Sequence, residues 1–159
     1  MDKFNQLATE LGAALKAHGC KLALAESCTG GLVSAAMTEI AGSSAWFDRG
    51  FVTYSNAAKI EMLGVSANTL AQFGAVSEET AREMAQGALS HSKAQIAASI
   101  TGIAGPDGGT PEKPVGTVCF AWAFNGQMIS TTKKISGSRQ QIRHLSTETA
   151  LSELLKLLA

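Results

Sequence analysis

Apolar residues recur along this chain with two different periods. Phe4, Leu7, Leu11, Ala14 and Leu15 fall at helical spacing over residues 3–17, and His18-Gly19 supplies a C-cap, so an amphipathic first helix is predicted. Residues 21–25 (KLALA) form a short apolar run of strand type, followed by the turn ESCTGG and a second helical run over 32–40. Residues 47–54 (FDRGFVTY) are aromatic and β-branched and predict a second strand, after which Asn56 caps a short helix that Gly64 ends. Beyond a loop, Ser77 stands as N-cap with Thr80 at N3 and two carboxylates in the first turn, predicting a helix to about residue 90. Residues 94–100 and 115–124 read as apolar strands. Asn125-Gly126 is a hairpin turn that pairs the second of these with 127–135. A last helix is expected over 138–158, with Ile142, Leu145, Leu151, Leu154, Leu155 and Leu158 on its apolar face.

About four helices alternating with about five strands make the class α/β, and the hairpin makes the sheet mixed. No internal repeat or Gly/Pro/Ser linker divides residues 1–159, so one domain is expected. With 159 residues, 45% hydrophobic, the chain can bury a full core without disulfide or metal staples. Thirteen basic side chains balance thirteen acidic ones, which argues against nucleic acid as the main partner but leaves room for one bound phosphate. No uninterrupted apolar stretch is long enough to span a membrane. The charged N-terminus also lacks a signal-peptide core, so a cytoplasmic protein is expected. Cys20, Cys28 and Cys119 lack zinc or disulfide spacing and are expected as reduced thiols.

Three places can carry chemistry. Ser27, in AESCTGG, lies where a strand gives way to a helix start, close to backbone N–H groups that can stabilise an oxyanion; alternatively, Ser27 or Thr29 is simply the helix N-cap. Neither a G-x-S-x-G elbow nor a Walker loop is present. His18, His91 and His144 all fall in or at the ends of predicted helices, away from the glycine-rich turns, so a Ser-His-Asp triad is disfavoured. Lys59 is the better base: among Ala57, Ala58, Ile60 and Met62, burial would favour its neutral amine, whereas the competing reading is a solvated lysine. Ser90-His91-Ser92-Lys93 matches S-x-x-K by chance, without the companion motifs of that enzyme class.

The second place is TGIAGPDGG after the third strand, a shaped loop able to bring backbone donors to a ligand; Asp107 and Glu112 nearby are isolated loop acids. The third is SGSRQQIR. Arg139 and Arg143 share one face at a helix start, where the macrodipole disfavours cations. Either an anion binds there, or the two arginines join Lys133 and Lys134 in a solvated basic face.

Taken together, AESCTGG, FVTYSNAAKIEMLGV, GAVSEET, TGIAGPDGG, KPVGTV and SGSR resemble the CinA C-terminal domain family over nearly the whole chain. The resemblance implies a three-layer α/β/α domain with a mixed, mostly parallel sheet. It also implies hydrolysis of the carboxamide of nicotinamide mononucleotide, a pyridine-nucleotide salvage step, with no metal or organic cofactor. Carried over by motif, Ser27 is the nucleophile and Lys59 its base. Cys28, Thr29, Gly30, Gly31, Tyr54, Thr101, Gly102, Ile103, Ala104, Gly105 and Pro106 form the substrate site, and Arg139 and Arg143 take the phosphate. A homodimer is left open, and a non-catalytic nucleotide-binding relative is the alternative.

Overall fold

The computed structural model describes residues 3–159. Five strands form one sheet in the order β2-β1-β3-β4-β5: β1 (Leu22–Glu26), β2 (Phe47–Val52), β3 (Ile96–Gly102), β4 (Thr117–Phe124) and β5 (Gln127–Lys134). β1 pairs in parallel with β2 and β3, while β4 runs antiparallel to β3 and β5. Parallel and antiparallel ladders are therefore equal in number, with β4 alone opposing the other four strands. Asn125 (φ 58°) and Gly126 (φ 77°) make the expected hairpin turn between β4 and β5.

Strand alternation sorts side chains by size. Leu22, Leu24, Ile96, Ile100, Val118, Phe120 and Trp122 face one side, beneath α1 (Lys3–His18), α2 (Leu32–Thr38) and α6 (Arg139–Leu158). Each large apolar side chain buried there contributes about 1.5–3 kcal/mol relative to exposure. The other side presents Ala23, Ala25, Ala97, Ala121 and Ala123, which lets α5 (Glu78–Ser90) lie close, with α3 (Asn56–Leu63) and α4 (Ala67–Phe73) beside it. The result is the three-layer α/β/α arrangement.

Three local expectations change. Ser55 rather than Asn56 caps α3, its hydroxyl accepting from the Ala58 amide at 3.0 Å. α4 occupies what reads as loop in the sequence, because Leu70 is its single buried residue and leaves no apolar period to detect. β3 extends two residues beyond the predicted end, carrying Thr101 and Gly102 into the sheet. Among the described residues no helix is long and apolar enough to cross a membrane.

Candidate active site

The parallel strands β1 and β2 end side by side, with Glu26 in register with both Val52 and Ile100, and β3 continues two residues past them. Ser27, Thr53 and Thr101 follow those positions, so the Ser27 hydroxyl, the carbonyls of the β2–α3 connection and the glycine-rich loop meet at the carboxyl edge of the sheet. Open α/β sheets bind ligands at this edge.

Ser27 is held by main chain on both sides: its amide donates to Ile100 O at 2.9 Å, and its carbonyl accepts from Gly30 N at 3.0 Å. It does not cap α2, and neither does Thr29. The N-cap position is Gly31, in left-handed conformation (φ 108°), and the side chain that fills the helix N-terminus comes from Glu26. That fully buried carboxylate accepts from the amides of Gly31, Val33 and Ser34 and from the hydroxyls of Thr29 and Ser34, at 2.7–3.1 Å. A strand residue thus satisfies the free donors of the helix with a charge of favourable sign.

Lys59 is only 1% exposed although it is a lysine. Its Nζ lies 3.0 Å from Ser27 Oγ, 2.9 Å from Thr53 O and 3.2 Å from Tyr54 O. Among the described residues no carboxylate pairs with it. Burial consequently pushes the Lys59 ammonium below its ordinary pKa of 10.5, with Cys28 acting in the opposite sense. In the neutral amine two N–H bonds go to the two carbonyls, and the lone pair is left facing the Ser27 hydroxyl. Such an arrangement suits removal of a proton from serine. Burial pushes the Cys28 thiol up to about 11, which keeps it as the neutral thiol near neutral pH.

α3 is seated by a close contact that also fixes Lys59. At Gly87 of α5 an added Cβ would stand 2.1 Å from Leu63 O, so only glycine lets the end of α3 approach this far.

Ser27, Cys28, Tyr54, Lys59, Thr101, Gly102, Ala104 and Arg139 line one cleft of about 240 Å³, together with Ala75 and Val76. Thr101 is oriented by donating to Ala75 O at 2.9 Å. Arg139 donates to Gly105 O at 2.8 Å, tying the start of α6 to the glycine-rich loop. Thr29, Gly30, Gly31, Ile103, Gly105, Pro106 and Arg143 shape the surrounding turns without lining the cleft. The two arginines one helical turn apart therefore separate: Arg143 turns to the back of the Ser27 turn and donates to Cys28 O (3.0 Å) and Thr29 O (3.2 Å). Lys134 is engaged separately, donating to Thr117 Oγ1 at the first residue of β4 at 2.9 Å.

The histidines are all engaged elsewhere, His18 with Leu158 O, His91 with Gly87 O and His144 against the Phe4 ring. No group of three or more His, Cys, Asp or Glu among the described residues is arranged to hold a metal. Glu26 is the residue that sequence reasoning missed. An acid closing an apolar strand directly before a glycine-rich helix start is a readable signal for a side chain that satisfies helix N–H groups. Ala75 and Val76, which line the cleft without polar side chains, carry no such signal.

Residues 4–158 match the family model described as the CinA C-terminal domain. The chain is 55% identical over 159 residues to nicotinamide-nucleotide amidohydrolase PncC of Enterobacter agglomerans, covering 97% of each chain. It is 57% identical over 150 residues to the protein of the same name from Escherichia coli strain K12, covering 94% of this chain and 91% of that one. The crystal structure of competence/damage inducible protein CihA from Agrobacterium tumefaciens aligns with a TM-score of 0.97 at 48% identity, covering 100% of this chain and 98% of that one. With its motifs, its layered fold and these relatives in agreement, the chain belongs to the CinA C-terminal domain family.

Proposed function

We propose that this chain is a cytoplasmic nicotinamide-nucleotide amidohydrolase that converts nicotinamide mononucleotide and water to nicotinate mononucleotide and ammonia. The observation that carries the reading is the contact of Lys59 Nζ with Ser27 Oγ at 3.0 Å, made by a buried lysine without a counter-ion. Full-length similarity to proteins named for this activity supplies the substrate.

In the proposed cycle, neutral Lys59 takes the Ser27 proton as Oγ attacks the carboxamide carbon. The resulting ammonium of Lys59 donates to the amide nitrogen, the C–N bond breaks, and ammonia leaves an acyl-Ser27 ester. Water then attacks the ester, giving one proton to Lys59, which returns it to Ser27 Oγ; the product carboxyl loses the second proton to the released ammonia or solvent as it departs as nicotinate. The amide of Gly31 is already committed to Glu26 and that of Gly30 to Ser27 O, and Thr29 is buried away from the cleft, so the oxyanion donor in this turn is the amide of Cys28, which lines the cleft. Tyr54, Thr101 and Gly102 flank the pyridine ring and ribose, and Arg139 receives the 5′-phosphate at the cleft rim. No step requires a metal or an organic cofactor.

An ammonia assay on nicotinamide mononucleotide, with and without a metal chelator, tests this directly. Turnover by the unaltered chain that survives the chelator and vanishes in Ser27→Ala is expected. An inactive chain with intact circular dichroism would instead favour a nucleotide-binding relative without catalysis.

A further inference from the structure

Arg143 stands on the second turn of α6, next to the fully packed Ile142, on a helix whose start is closed by a capping box between Ser138 and Gln141. Its guanidinium reaches two consecutive carbonyls of the Ser27 turn, Nε to Cys28 O at 3.0 Å and a terminal nitrogen to Thr29 O at 3.2 Å. Gly30 lies beside that guanidinium: a Cβ there would sit 3.5 Å from it, on a backbone already at φ +56°. The side chain thus grips the turn from behind, and it does not line the cleft.

In a planar trans peptide the C=O and N–H vectors point in opposite directions. Holding Cys28 O towards α6 therefore aims the Thr29 N–H away from α6, and holding Thr29 O aims the Gly30 N–H back to Ser27 O, where it makes its 3.0 Å bond. Glu26 fixes the other end of the same turn through the Thr29 hydroxyl and the Gly31 amide. We infer that Arg143 is a positioning residue for the nucleophile turn: by holding two consecutive carbonyls it fixes the Cys28–Thr29 peptide plane that follows Ser27, and it does not bind the substrate phosphate. The inference rests on the proposed acyl-transfer reading of the site.

Two assays test it. On nicotinamide mononucleotide and on nicotinamide riboside, which lacks the phosphate, Arg143→Ala is expected to lower kcat roughly tenfold to a hundredfold by the same factor on both, with KM nearly unchanged. Arg143→Lys, which can reach one carbonyl but cannot bridge two, is expected to recover part of that loss; it also decides the question should the alanine variant fail to fold. The second assay is the rate at which a fluorophosphonate phosphonylates Ser27 with loss of fluoride, followed by intact mass, which is expected to fall in parallel. A loss expressed in KM and confined to the phosphorylated substrate would overturn the inference and make Arg143 a phosphate ligand. Unchanged kcat and unchanged labelling would overturn it outright. Labelling of the unaltered chain without ammonia release would remove the proposed substrate, and the labelling rates of the variants would still decide the role of Arg143. Absence of labelling in the unaltered chain would overturn both.

Discussion

Glu26 and Lys59 are both buried ionisable side chains beside Ser27, yet their surroundings differ in kind. Glu26 accepts five hydrogen bonds, three of them from backbone amides at the start of α2. Among the described residues Lys59 meets two carbonyls and the Ser27 hydroxyl and has no carboxylate partner. One site solvates its charge with protein dipoles and so serves the fold; the other penalises its charge and so favours the neutral amine that the proposed mechanism uses. Burial alone does not mark a functional residue, whereas burial without compensation does.

The contrast can be broken most forcefully at Lys59. Lys59→Met is expected to lower kcat/KM by about four orders of magnitude or more, the scale seen when a member of a nucleophile–base unit is removed. The same variant should hold or gain stability at pH 7, by about 1 kcal/mol, because a site tuned for activity is relieved of a desolvated amine. The sign follows from its lowered pKa: the folded state releases the proton more readily than the unfolded chain, so the penalty is present at low pH and fades as pH rises towards 10.5. Urea unfolding together with the ammonia assay reads both halves.

Glu26→Gln should do the reverse. A neutral amide brings an NH2 group into a pocket of donors, and about 3–5 kcal/mol of stability is expected to be lost, comparable to breaking a buried ionic cluster. Loss of activity without loss of stability in this variant would contradict the division of labour.

A smaller effect is expected at Arg139, which reaches the cleft from α6. Arg139→Ala should raise KM for the mononucleotide about tenfold, corresponding to one charge-assisted contact of about 1.5 kcal/mol, and change turnover of the riboside little. Equal losses on both substrates would place its main role in holding the glycine-rich loop through Gly105 O.

The smallest effect sharpens the Lys59 side. Thr53 Oγ1 is buried without a hydrogen-bond partner among the described residues, while its carbonyl holds Lys59. Thr53→Val is expected to stabilise the chain by about 1 kcal/mol in a denaturant titration, with activity retained, since shape is kept and an unpaired hydroxyl is removed. A marked fall in kcat would show that this hydroxyl takes part in proton movement.

Strands and long helices were legible because their apolar periods survive in the sequence: Leu22 and Leu24 alternate with Ala23 and Ala25, and Ser77 announces α5 by capping it. α4 was not legible, having one buried residue. Ser27 and Lys59 became conspicuous through the motifs around them, but their apposition joins residues 32 positions apart and depends on β1 and β2 ending level. The parting of Arg139 and Arg143 was equally hidden. Helical spacing puts both on one face of α6, and only the position of the Ser27 turn sends one to the cleft and the other behind it.

The pH dependence of kcat/KM for ammonia release tests the central claim most directly. If neutral Lys59 accepts the Ser27 proton, the rate must rise with pH along a single limb whose midpoint lies below the ordinary lysine value of 10.5, and Lys59→Arg, which stays charged, must be inactive throughout. A flat profile in the folded range, or substantial turnover by Lys59→Arg, would contradict it.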